Sequence, residues 1–161
     1  MPNPVVVNAS PLIVLGKTGY LDLLRLAGDP VQVPSAVMQE VQRAGPNDPV
    51  VQALAQTTWI QVVNPAQVLG HLGGRGLGAG EEAVLTWAAL NPGTEALIDD
   101  RVARRYAKAI GVPYRGCLGL VITARKQGVI SAARPILDSL RQAGLRLGDR
   151  IMNQSLALVG E

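Results

Sequence analysis

Short β-branched runs alternate along this chain with stretches of helical periodicity, and that alternation limits the fold more than any other feature. VVV (5–7) is a continuous apolar run, the form of a strand covered on both faces of a parallel sheet. VQV (31–33), WIQVV (59–63), ALI (96–98) and VPY (112–114) read as further strands by β-branching and alternation. Helical stretches separate them. They are YLDLLRLAG ending at Gly28, AVMQEVQRAG opened by Pro34-Ser35 and ending at Gly45, residues 48–57, EEAVLTWAAL, and RVARRYAKAIG closed by Gly111. CLGLVITARKQG, ILDSLRQAG and the segment LGDRIMNQSLALVGE follow as three more helices. Strands alternating with helices predict an α/β domain with a mostly parallel sheet. No repeat or long linker divides the chain, so residues 1–161 are expected to form one domain.

In such sheets the working residues sit past the carboxyl ends of the strands. Asn8 follows the first predicted strand, and Asp99 and Asp100 follow the fourth. Glu40 lies on the helix after the second, within reach of the same edge. The charge is divided in the same sense. Residues 1–100 carry four basic and nine acidic side chains, whereas residues 101–150 carry eleven basic and two acidic. The net charge of +3 therefore hides an acidic site and a basic flank. No apolar run is long enough to span a membrane and no secretory leader is visible. The single cysteine, Cys117, cannot form an intrachain disulfide, nor a zinc site with the single His71. A reducing cytoplasm is the expected compartment.

Adjacent like charges repel, and a divalent cation removes the penalty. Mg²⁺ takes oxygen ligands, commonly one or two carboxylates together with substrate phosphates. Acidic and amide groups gathered from distant parts of the chain would suit one or two such ions, which activate water in phosphodiester cleavage. A plainer reading stands beside this one. Asp99 or Asp100 can cap the helix that starts near Arg101, and Glu81 and Glu82 can do the same after Gly80. Asn8 can be a turn residue, and Ser10 can cap the short helix that follows it.

Four segments carry a family resemblance: VVVNASPLIVLGKTGYLDLL, VPSAVMQEV, GEEAVLTWA and LIDDRVARRYAKAIGVPYRGCLGL, in this order. From about residue 4 to 150 the chain resembles the PIN-domain family, most of all a prokaryotic branch grouped with VapC-type toxins. The resemblance implies a three-layer α/β sandwich and a Mg²⁺- or Mn²⁺-dependent ribonuclease. It implies metal ligands at Asn8, Glu40, Glu81 and Asp100, with Asp99 beside them and Glu40, Glu81 and Asp100 catalytic. Ser10 matches the small hydroxyl residue that follows the first acidic position. Asn8 departs from the family pattern, which has Asp there. Its amide oxygen still ligates a hard cation, but the site loses one negative charge, which Asp99 is expected to restore in part. A small antitoxin protein and a homodimer are the partners that the resemblance implies.

Arg101, Arg104, Arg105 and Lys108 fall at i, i+3, i+4 and i+7, on one helix face that begins at the acidic pair. With Arg115 they make a candidate surface for an RNA backbone. A solvated helix face explains the same spacing. Aromatic residues make up 3% of the chain, so base stacking should contribute little. Residues 74–79 satisfy a loose G-x-G-x-x-A pattern, but no strand precedes them directly and they run into Glu81-Glu82, which argues against a dinucleotide site. They are expected to belong to a glycine-rich loop that also holds His71. Two functions follow from the sequence: a metal-dependent ribonuclease, acting as a toxin or otherwise, and a catalytically weak PIN-like module that binds RNA or protein because Asn8 has replaced the first acid.

Overall fold

A computed structural model describes residues 2–65, 67, 69 and 76–161. His71, Gly74 and Arg75 of the glycine-rich segment lie outside the described residues. The strands are β1 (Val5–Val7), β2 (Val31–Pro34), β3 (Ile60–Val63), β4 (Glu95–Leu97) and β5 (Tyr114–Arg115). They form one parallel sheet in the order β3-β2-β1-β4-β5. Successive side chains of a strand point to opposite faces. Every residue of β1 and β2 is buried, so both faces of the sheet centre are covered. Helices supply the covering layers and the result is a three-layer α/β sandwich. At the edge, β3 leaves Val62 55% exposed.

The helices are α1 (Ala9–Thr18), α2 (Ser35–Gln42), α3 (Pro49–Ala55), α4 (Ala79–Leu90), α5 (Arg101–Ala109), α6 (Cys117–Lys126), α7 (Arg134–Gln142) and α8 (Asp149–Ala157). None is long and apolar enough to cross a membrane among the described residues. Their starts follow local chemistry. Asp48 accepts from the N–H groups of Val50 and Val51 and has Pro49 behind it, a strong start for α3. Glu161 accepts from the N–H groups of Ala133 and Arg134 at the start of α7, and these bonds lower its carboxyl pKa.

Three local expectations change. Ser10 does not cap a helix: α1 already begins at Ala9, and Asn8 occupies the capping position. Pro11 is tolerated because the first N–H groups of a helix need no intrahelical partner. YLDLLRLAG forms a 3₁₀ helix, Leu21–Leu26, instead of an amphipathic α-helix. It is confined between the left-handed turn at Gly19 and β2, and short connectors of this kind favour the tighter winding. The last strand moves from VPY to Tyr114–Arg115. Pro113 has no N–H and gives the ladder only its carbonyl, which accepts from Ala96 at 2.9 Å.

Candidate active site at the carboxyl edge of the sheet

The chain leaves β1 toward β2 on one side, and β4 then pairs with β1 on the other. The strand order therefore reverses between β1 and β4, where parallel sheets open a crevice at their carboxyl ends. Asn8 is the first residue beyond β1, and its N–H donates to the Leu97 carbonyl of β4 at 3.1 Å. Asp99 and Asp100 leave β4 beside it. Asn8, Ser10, Glu40, Glu81, Asp99 and Asp100 all line one cavity of about 330 Å³.

Each donor is held differently. Asn8 is 4% exposed, and although it stands at the start of α1 its side chain caps nothing. Its amide oxygen faces the close approach of α4 to α2 at Gly80. A Cβ at Gly80 would lie 2.9 Å from a Glu40 carboxylate oxygen and 3.8 Å from Asn8 Oδ1. The absent side chain at position 80 thus leaves the space in which Glu40 and Asn8 meet. Gly80→Ala is expected to change the melting temperature little, because the helix preference of Ala, about 1 kcal/mol, is opposed by a 3.2 Å contact of the new Cβ with buried Val37. It should nevertheless weaken Mn²⁺ binding severalfold by pushing the Glu40 carboxylate aside, a split that thermal melts and calorimetric titration together resolve.

Asp100 Oδ2 accepts from Ala103 N–H at 2.8 Å and caps α5, and Glu81 Oε2 accepts from Gly78 N–H at 3.1 Å at the start of α4. The capping role and the cavity-lining position therefore coexist in both residues. Asp99 is tied more tightly. Its Oδ1 accepts from Cys117 N–H at 2.9 Å and faces Arg104 at 3.7 Å. Its Oδ2 is buried with no hydrogen-bond partner among the described residues. An orphaned carboxylate oxygen is costly unless a cation or water satisfies it. Cys117 itself is packing: burial, then the Asp99 charge, pushes its thiol well above the usual range.

Glu81 reports the electrostatics. Partial burial raises its pKa, the Gly78 hydrogen bond opposes that shift, and the charges of Asp100, Glu40 and Glu82 add to it. A folded-state pKa raised above the usual 4.5 means that the native state holds its proton more tightly than the unfolded chain. The metal-free protein is thus relatively most stable below that value and loses the contribution as pH rises through the folded-state pKa. Glu81→Gln keeps an acceptor for Gly78 and removes the charge. Metal-free melts should show the variant gaining about 1–3 °C over wild type toward neutral pH, with the gap closing in acid.

The donor set is all oxygen, which suits a hard divalent cation. Among the described residues no three acidic side chains close on one point tightly enough to hold an ion between them. The cavity therefore suits an ion held by one or two carboxylates with water completing its shell, as Mg²⁺ commonly is.

The basic residues divide. Arg101 is exposed and borders a neighbouring groove. Arg104 donates to the Ile98 carbonyl at 2.8 Å and lies 5.8 Å over the Tyr114 ring. Arg105 lines a different depression, with Val102, Tyr106 and Ala109. Arg115 borders the groove, but its guanidinium pairs with Glu95 at 2.6 Å and donates to the Ala27 carbonyl at 3.1 Å. Its guanidinium thereby ties β5 to β4 and to the end of the 3₁₀ helix while the residue stays on the groove's rim. Arg115→Met should cost about 2–3 kcal/mol by leaving Glu95 and Ala27 unpaired, and should leave nucleic-acid affinity unchanged. Denaturant unfolding and an anisotropy titration separate the two effects.

One contributor was missed. Gly144, Leu145 and Arg146, from the turn between α7 and α8, close the cavity far along the chain from the other residues. A lone arginine in a glycine-bounded turn gives no sequence signal.

Fold and site together define a parallel α/β domain with an oxygen-rich, acidic cavity where its strand order reverses. A PIN-domain family model matches residues 4–161, and the chain belongs to that family. PIN domains are a nuclease-type fold, generally dependent on divalent metal. No curated protein matches the chain.

Proposed function

We propose that this chain is a metal-dependent ribonuclease that hydrolyses phosphodiester bonds in RNA, with residues 1–161 as one catalytic unit. The observation that carries this reading is the convergence of Asn8, Glu40, Glu81 and Asp100 on one cavity from four separate elements. Mg²⁺ or Mn²⁺ held there would activate water and stabilise the leaving oxygen. Glu40, Glu81 and Asp100 together supply the negative charge that draws the ion in, one or two of them would ligate it directly, and Asn8 would add a neutral oxygen. Asp100 and Glu81 keep one oxygen each on a backbone N–H, so their carboxylates are already oriented. Asp99 adds charge from behind while it holds the start of α6. Ser10, exposed at the cavity wall, would donate to a phosphate oxygen.

A Mn²⁺-dependent cleavage assay on structured RNA tests this. Cleavage should appear in wild type, vanish with EDTA and fall to background in Asp100→Ala. Wild-type activity no greater than that of the variant would overturn it. The neutral Asn8 favours a second reading, a PIN-like module that binds RNA or protein without cutting. The role of toxin, with a small antitoxin protein and a homodimeric state in the cytoplasm, belongs to the first reading. Growth arrest on expression, relieved by a neighbouring reading frame, is the result that supports it.

A further inference from the structure

Asp99 lines the acidic cavity, yet the contacts that fix it lie behind it. Arg104 borders the neighbouring groove and meets Asp99 from that side, with Nη2 3.7 Å from Oδ1. That separation makes an ion pair and is too long for a hydrogen bond. Other contacts place the guanidinium. Its Nε donates to the Ile98 carbonyl at 2.8 Å, and its carbon lies 5.8 Å from the centre of the Tyr114 ring. The Asp99 side chain is only 13% exposed, so water screens the pair incompletely. Oδ1 is thus engaged by Cys117 N–H and by Arg104, and Oδ2 is left over.

Gly116 makes room for this pair. A Cβ there would overlap Arg104 Nη2 and would lie 2.6 Å from Asp99 Oδ1. Its backbone does not demand glycine: φ is −108° and ψ −178°, extended values open to any residue. What position 116 supplies is empty space between β5 and α6, filled by a guanidinium and a carboxylate. The guanidinium suits it because its two contacts fall on different nitrogens of one rigid plane. A lysine has a single nitrogen and cannot reproduce both.

Two neighbouring carboxylates repel each other, and a cation beside one of them divides their work. We propose that Arg104 is a positioning residue: from the space that Gly116 leaves, it holds the Asp99 carboxylate on the α6 side, so that of the adjacent pair only Asp100 serves as a ligand of the cation. This rests on the reading of the cavity as the cation site of a nuclease. It gives Arg104 a role other than the RNA contact expected from sequence.

Calorimetric titration of the full chain with MnCl₂ tests it. Arg104→Gln should tighten Mn²⁺ binding about fivefold, because a released Asp99 joins Asp100 at the ion. Arg104→Lys keeps the charge and loses the fork, and Gly116→Ala keeps both partners and parts them. Each should tighten binding about threefold. In an Asp99→Asn background, which retains an acceptor for Cys117, none of the three should change the affinity. Metal-free melts certify the variants as folded, and saturating Mn²⁺ should raise the melting temperature of Arg104→Gln more than that of wild type. An equal gain from Arg104→Gln with and without the Asp99 carboxylate, with Arg104→Lys matching wild type, makes Arg104 a distant charge only and overturns the proposal. Unchanged or weaker Mn²⁺ binding in all three folded variants also overturns it and leaves the nuclease reading standing. A wild type that takes up no Mn²⁺ overturns both. The expected shifts in a chain that cuts no RNA would support the placement of Arg104 and overturn the nuclease reading.

Discussion

Replacing Asn8 with Asp is expected to raise Mn²⁺ affinity about tenfold, or about 1.4 kcal/mol, and to raise RNA cleavage by at least as much. The substitution changes shape very little. Asp is as good a capping residue as Asn and suits the helix N-terminus, so α1 should form as before. What changes is charge in a position only 4% exposed, next to Glu40 across the gap at Gly80. A buried carboxylate among other carboxylates is costly until a cation arrives. The metal-free variant should therefore melt several degrees lower than wild type, and saturating Mn²⁺ should more than restore the loss. Calorimetric titration and paired melts check both halves. An unchanged affinity together with an unchanged metal-free melt would show that position 8 does not share the cation's space. If wild type is the silent binding module, Asn8→Asp should produce cleavage where there was none.

The second large effect is expected from Asp100→Asn, with RNA cleavage falling by a factor of about 10²–10⁴ and stability nearly unchanged. Asn preserves the oxygen that accepts from Ala103, so α5 keeps its cap while the cavity loses a charge. Asp100→Ala removes both and should cost about 1 kcal/mol of stability in addition. Comparing the two variants in unfolding and cleavage assays separates capping from metal chemistry. If Asn and Ala lowered stability alike and Asn kept wild-type cleavage, Asp100 would be a structural residue only.

Much of this was legible in the sequence because strands and their carboxyl ends leave short-range signals. The VVV and ALI runs located the central strands, and Asn8 and Asp99-Asp100 could be placed at their ends from local order alone. Local order put Glu40 within reach of that edge, but its role, and Glu81 altogether, came with the family resemblance, since an isolated Glu on a helix looks the same whether it faces water or a cavity. What stayed hidden depends on tertiary contact. The periodicity of α5 put Arg101, Arg104 and Arg105 on one face. It could not show that Ile98 and Tyr114 would hold Arg104, or that Glu95 would take Arg115. The α7–α8 turn reaches the cavity by packing, and nothing in LRLG predicts that Arg146 would stand there.

Glu81 and Asp100 each fasten the first turn of a helix with one oxygen while offering the other to the cavity. On the proposed metal-bound reading, ligand geometry is fixed as the chain folds, and an incoming ion need not freeze loose rotamers. The dependence also runs in reverse. Fraying at the amino end of α4 or α5 would scatter these carboxylates, and on the same reading a loaded cavity would suppress that fraying. Ion occupancy and local unwinding at these two helix starts are therefore one equilibrium seen from two ends.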